Sequence, residues 1–239
     1  MTAFFKRYFY LLCVLPDIGE FGSTPPLTKQ GLLTVVTESE GPVDIVQVLL
    51  LSDDLLEREA VLTGERDPDT ADPAVLSLQQ VKGEQPLPHF LRPHEEDEEE
   101  SSDDSVSGDP IWQNYFQYAS DRARSSRSPF LRAWVGFEVG MRNALARLRA
   151  EALDLDPDPY MVAQGLGDPE FPFEGILEGW RASSNPLEAL EAQDRVRWNW
   201  VAEHEQWYSF NSNEVAAYTA RIILLHRWRR INQGDENKP

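Results

Sequence analysis

The stretch from Ser128 to Leu148 limits the possible folds more than any other part of this chain. Ser128-Pro129 reads as a helix cap followed by a proline in the first helical position. Phe130, Trp134, Phe137, Met141, Leu145 and Leu148 then recur at steps of four, three, four, four and three. That spacing places six large apolar side chains on one face of a helix that ends near Asp154. A helix with one apolar face must bury it against another element. Two more segments of the same kind follow. Asn185-Pro186 repeats the cap-then-proline signal ahead of a helix over 187–207, with Val196, Trp200 and Trp207 along one stripe. Asn211 with Glu214 caps the last helix, where Val215, Tyr218, Ile222 and Leu225 share a face and Leu224, Trp228 and Ile231 extend it. Arg227, Arg229 and Arg230 fall in its last turns, suited to a negative helix end, and Gly234 reads as its stop.

The first half is less regular. Tyr8–Leu15 is apolar and aromatic, too short to span a membrane and followed by Pro16-Asp17. It has no small-residue cleavage site after it, so it reads as a buried core element rather than a secretion signal. Leu27–Thr37 fits a short helix or strand. Val43–Leu51 is rich in β-branched residues and its period leaves strand and helix open. Asp54 with Glu57 fits a capping box that starts a helix over 54–63, with Gly64 as its stop. Val75–Val81 reads as one or two helical turns.

Between the halves, residues 95–104 read EEDEEESSDD, eight acids in ten positions. Prolines 86, 88, 93 and 110 surround this run. Like charges at that density oppose compact packing, so 92–109 reads as a disordered acidic loop between an N-terminal helical part, 1–91, and a C-terminal helical bundle, 110–234. The fold class expected is mainly α.

The net charge of −19 sets an acidic chain against any phosphate backbone, which argues against nucleic acid as a partner. A single cysteine, Cys13, makes no internal disulfide. His89, His94, His204 and His226 sit at no metal-ligand spacing; His204-Glu205 opens like H-E-x-x-H, but Tyr208 stands where the second histidine belongs. Gly165-Leu166-Gly167 lacks the third glycine of a dinucleotide loop. The acidic run has neither the spacing nor the turn glycine of a calcium loop. The expectation is a protein without a cofactor, a metal or an active site, soluble and cytoplasmic. Trp198, Trp200 and Trp207, with Arg227, Trp228 and Arg230, are the candidate contacts for a protein partner, because aromatic and arginine side chains anchor interfaces.

Four blocks resemble a bacterial family encoded beside the genes of V-type ATPases. They are YFYLLCVLPDIGEFGSTPPLTKQGLL, LLLSDDLLEREAVLTG, FLRAWVGFEVGMRNALARLRA and NSNEVAAYTARIILLHRWRRIN. That family is similar in turn to the C component of V-type (archaeal-type) ATPases, an all-helical, funnel-shaped protein that joins the central rotor stalk to the membrane ring. The resemblance implies a helical bundle like that component. It also implies a non-enzymatic role in coupling or assembly, with the proteins of the stalk and ring as partners and a place at the membrane periphery without insertion. The alternative is a helical adaptor unrelated to ATPases, using its acidic loop to hold a basic partner.

Overall fold

A computed structural model describes residues 8–92 and 110–236. Among them are nine α-helices, several single 3-10 turns and no strand. The chain divides into two compact units, one within Met1–Pro86 and Asp194–Pro239, the other within Leu87–Gln193. The acidic run from 95 to 104 lies outside the described residues. The grouping differs from a simple cut at 92–109, because the residues from 194 onward pack with the N-terminal helices.

In the first unit, α1 (Phe9–Val14) leads through a loop to α2 (Lys29–Glu38), whose N-cap Thr28 accepts from the Gly31 N–H. The ambiguous 43–51 segment is helical. It forms the first half of α3 (Val43–Leu62), one unbroken helix of 20 residues. Its aliphatic side chains from Ile45 to Leu51 are all buried, and this tertiary burial outweighs their β propensity. Asp54 and Glu57 therefore cap nothing and stand in mid-helix. Gly64 does stop α3, at φ +77°, just past the Thr63 C-cap. The short α4 (Leu78–Val81) starts with a reciprocal box of Ser77 and Gln80.

Helix α1 differs from the buried element expected. Leu11 and Leu15 are buried, but Tyr10 is 82 % and Val14 66 % exposed, and Cys13 also faces out. A helix with two buried positions and a largely bare apolar remainder is amphipathic only in part.

The second unit holds α5 (Pro110–Ser125), α6 (Pro129–Ala152) and α7 (Glu174–Ala182). All six residues of the Phe130–Leu148 stripe are buried. Ser128 accepts from the Leu131 N–H as the cap. Helix α8 (Pro186–His204) is capped by Asn185, which accepts from the Glu188 N–H. Residues 194–204 of α8 belong to the first unit, as does α9 (Ser212–Glu236). Helix α9 runs through Gly234, so its arginines lie inside the helix and do not crown its end.

Candidate functional site

The functional candidates of the first unit gather around α9, and the order of its residues decides what each can do. Helix α9 packs on α2 and α3 with Val215, Ile222 and Leu225 fully buried. Arg230 follows on the same side, two turns after Ile222. Its guanidinium meets Asp53 of α3 as a fork, Nη1 donating to Oδ2 at 2.9 Å and Nη2 to Oδ1 at 2.6 Å. Lys29, the first residue of α2, donates its Nζ to the same Asp53 Oδ2 at 2.8 Å. One carboxylate thus ties three helices.

The network extends along α3. Lys29 Nζ also lies 3.4 Å from Asp54 and 3.5 Å from Glu57. Asp54 accepts the backbone N–H groups of Ala74, Val75 and Leu76, the shortest at 2.6 Å from Val75. Glu57 Oε1 takes the Asp72 N–H and an Arg66 Nη2, each at 3.1 Å. Lys29, Asp53, Asp54 and Glu57 are all buried. Three carboxylates face three cations (Lys29, Arg66 and Arg230), so the set is neutral as a whole. Such a set persists because each charge has several partners, since an unpaired ion at this depth costs several kcal/mol.

Burial opposes ionisation of Asp53, yet Arg230 and Lys29 hold its carboxyl far below the ordinary carboxylate range. For Asp54 burial prevails and raises the carboxyl, against the pull of Lys29 and the three N–H donors. Lys29 is pushed down by burial and up by the three carboxylates, and the carboxylates prevail. His226, one turn before Arg230 in α9, has its pKa lowered mainly by burial, and its Nε2 lies 2.7 Å from the Leu27 carbonyl. The neutral tautomer that carries hydrogen on Nε2 satisfies that contact.

The six residues expected to meet a partner fall into different places. Arg230 is engaged inside, as above. Arg227 donates to Asp194 at 2.9 Å, and Arg197 reaches the same oxygen at 3.1 Å. Trp198 and Trp228 flank Phe21, with ring centroids 5.7 and 5.5 Å away. Gly22, at φ +90°, lets the loop turn against the Trp228 ring. Trp200 is buried in the core and stacks on His204 at 3.8 Å. Only Trp207 of the six is strongly exposed, past the end of α8. The two arginines and most of the tryptophans are thus used in holding the unit together.

The charged centre itself was not singled out from the sequence. Its signal was present in QVLLLSDDLLEREAVL, where acids interrupt an apolar run at helical spacing and would be buried if the helix continued. Read as a cap, the same residues lose that meaning.

Among the described residues, no group of His, Cys, Asp or Glu side chains is arranged to hold a metal ion, and no helix is long and apolar enough to cross a membrane. Comparison of the chain with family models, curated proteins and solved structures gives no match.

Proposed function

We propose that this protein is a non-enzymatic coupling or assembly component of a V-type ATPase, a helical adaptor between the central rotor stalk and the membrane ring. One observation carries the reading. Three of the four resembling blocks converge on one buried network: Lys29 comes from the first, Asp53, Asp54 and Glu57 from the second, and Arg230 from the last.

An adaptor between a rotating stalk and a ring has to resist internal slip. Apolar packing alone is non-directional and lets helices slide to a new register. A forked Arg230–Asp53 pair does not, because sliding α9 by one turn would part Arg230 from the buried Asp53 and leave that carboxylate with Lys29 alone. The expected resistance is on the order of 3–5 kcal/mol, the cost of breaking a buried pair. The bond from Tyr218 to the Pro16 carbonyl, at 2.8 Å, adds a second fastening between α9 and the N-terminal segment.

The test is affinity purification of the tagged protein from its native host in gentle detergent, with partners identified by mass spectrometry. ATPase stalk and ring proteins recovered in fixed ratio support the role. Efficient recovery of the bait with other proteins and no part of the ATPase ends it.

A further inference from the structure

Beside Trp207 the first unit has a half-open cleft of about 80 Å³, lined by α1 and the loop after it, by the α8–α9 connection and by α9. Its floor is apolar, with Leu12, Leu15, Ile18 and Ala217. Its polar groups are Asp17, Glu205, Glu214, Tyr218 and Arg221.

The charges are unequal. Among the described residues of the lining Arg221 is the one cation, and it is engaged by Glu205 at 2.8 Å and by the faces of Trp198 and Trp207. Both Glu214 oxygens are taken by the 208–210 connection, through the Tyr208 and Phe210 N–H groups and the Ser209 hydroxyl. Asp17 is exposed at the rim. Three carboxylates against one guanidinium leave the cleft acidic, in a chain whose net charge is −19.

Around it lies exposed aromatic surface. Trp207 is 58 % and Tyr208 81 % exposed. Phe9 rests on Phe210 at 5.0 Å and carries Tyr10 at its edge. Aromatic side chains in the open at an acidic rim fit the composition of a protein interface.

Size decides the kind of occupant. A free ligand needs a pocket of roughly 300 Å³ or more, and a cavity that takes benzene measures about 150 Å³. A cleft of about 80 Å³ takes one aliphatic side chain. We propose that this cleft and its aromatic rim dock a basic amphipathic segment of a partner protein. One leucine-sized side chain enters between Leu12 and Ala217, and a flanking lysine or arginine side chain faces the exposed Asp17, since Glu205 is already held by Arg221 and the Trp207 indole N–H. The proposal is independent of which complex the protein serves.

The test uses the full chain and two blocked 14-residue amphipathic peptides, one of leucine and lysine, one of leucine and glutamate, with affinity read by fluorescence anisotropy. The Leu/Lys peptide is expected to bind and the Leu/Glu peptide to bind at least about 10-fold more weakly. Trp207→Ala and Asp17→Asn, both at exposed positions, should each weaken the Leu/Lys peptide, the first by about 10-fold. Ala217→Leu, which fills the cleft, should weaken it further, with circular dichroism confirming an unchanged helix content. Deleting residues 95–104 should leave binding at the cleft in place. The proposal is overturned if the Leu/Lys peptide does not bind or the Leu/Glu peptide binds equally well. It is also overturned if the exposed variants bind like the parent while the deletion abolishes binding, since the acidic run is then the receptor.

Discussion

Both units pin a returning loop to a long helix through one polar side chain in the middle of that helix, but they use different chemistry. In the first, Asp54 of α3 accepts three consecutive N–H groups from 74–76. In the second, Asn143 of α6 pairs with both backbone groups of Val162, donating to its carbonyl at 2.8 Å and accepting its N–H at 2.9 Å. The amide is self-sufficient, because it supplies one donor and one acceptor to a residue that needs one of each. The carboxylate satisfies more donors, yet it brings a charge into the core. It therefore requires Lys29, which in turn answers Asp53 and Glu57. A neutral clamp can stand alone; a charged one recruits partners from other helices and makes the loop part of the same network as α2 and α9.

Substitutions probe that contrast directly. The largest effect is expected from Lys29→Met, which leaves Asp53, Asp54 and Glu57 without their shared cation. A loss of about 3–5 kcal/mol by urea unfolding is expected, enough to unfold a marginal domain. If the loss is under about 1 kcal/mol, Lys29 is not the keystone described. Asp54→Ala comes next. It orphans three N–H groups, and a cost of about 2–4 kcal/mol is expected, with faster amide exchange at Ala74, Val75 and Leu76. Asn143→Ala should cost less, about 1–2 kcal/mol, with faster exchange confined to the Val162 loop. Equal costs for the two alanine variants would erase the distinction between charged and neutral clamps.

The pH dependence sharpens the contrast further. The folded state depresses Asp53 below its ordinary value of 3.8, so its ionised form stabilises the fold above that pH. That contribution declines as pH falls from 3.8 toward the lower folded value. The stability gap between the parent and Asp53→Asn should therefore be constant near neutrality and narrow below pH 3.8. A gap that widens on acidification contradicts the pairing with Arg230. At the small end, Asp121 and Arg124 form an exposed pair at 3.1 Å, and Asp121→Asn should leave the unfolding curve unchanged.

Much of the helical plan was legible locally. Ser128-Pro129 and the six-residue stripe after it specify α6 from its cap through its buried face, because both signals repeat at a spacing set by the helix itself. Asn185 and Gly64 likewise act where their chemistry places them. Misreadings arose where a residue's partner lies far along the chain. Asp54 and Glu57 have the spacing of a helix start, but their acceptors are occupied by residues 72–76 and their charges by α2. Arg227 and Arg230 look like an end-of-helix cluster, but they answer Asp194 and Asp53. Tyr8–Leu15 is apolar enough for a core, but the unit buries only one side of it, at Leu11 and Leu15. The cleft at Trp207 had no signal at all, since its lining comes from residues 12–18 and 205–221.

The sequence alone determined the helical class and the starts of α6, α8 and α9, because capping and the 3.6-residue period act over a few residues. It also determined the acidic balance. Only the tertiary structure decided which charges are buried together, which tryptophans are core and that residues beyond 194 belong with the first 86. Those outcomes depend on contacts across as many as 202 residues, whose energy comes from desolvation and pairing and leaves no periodic trace in the chain.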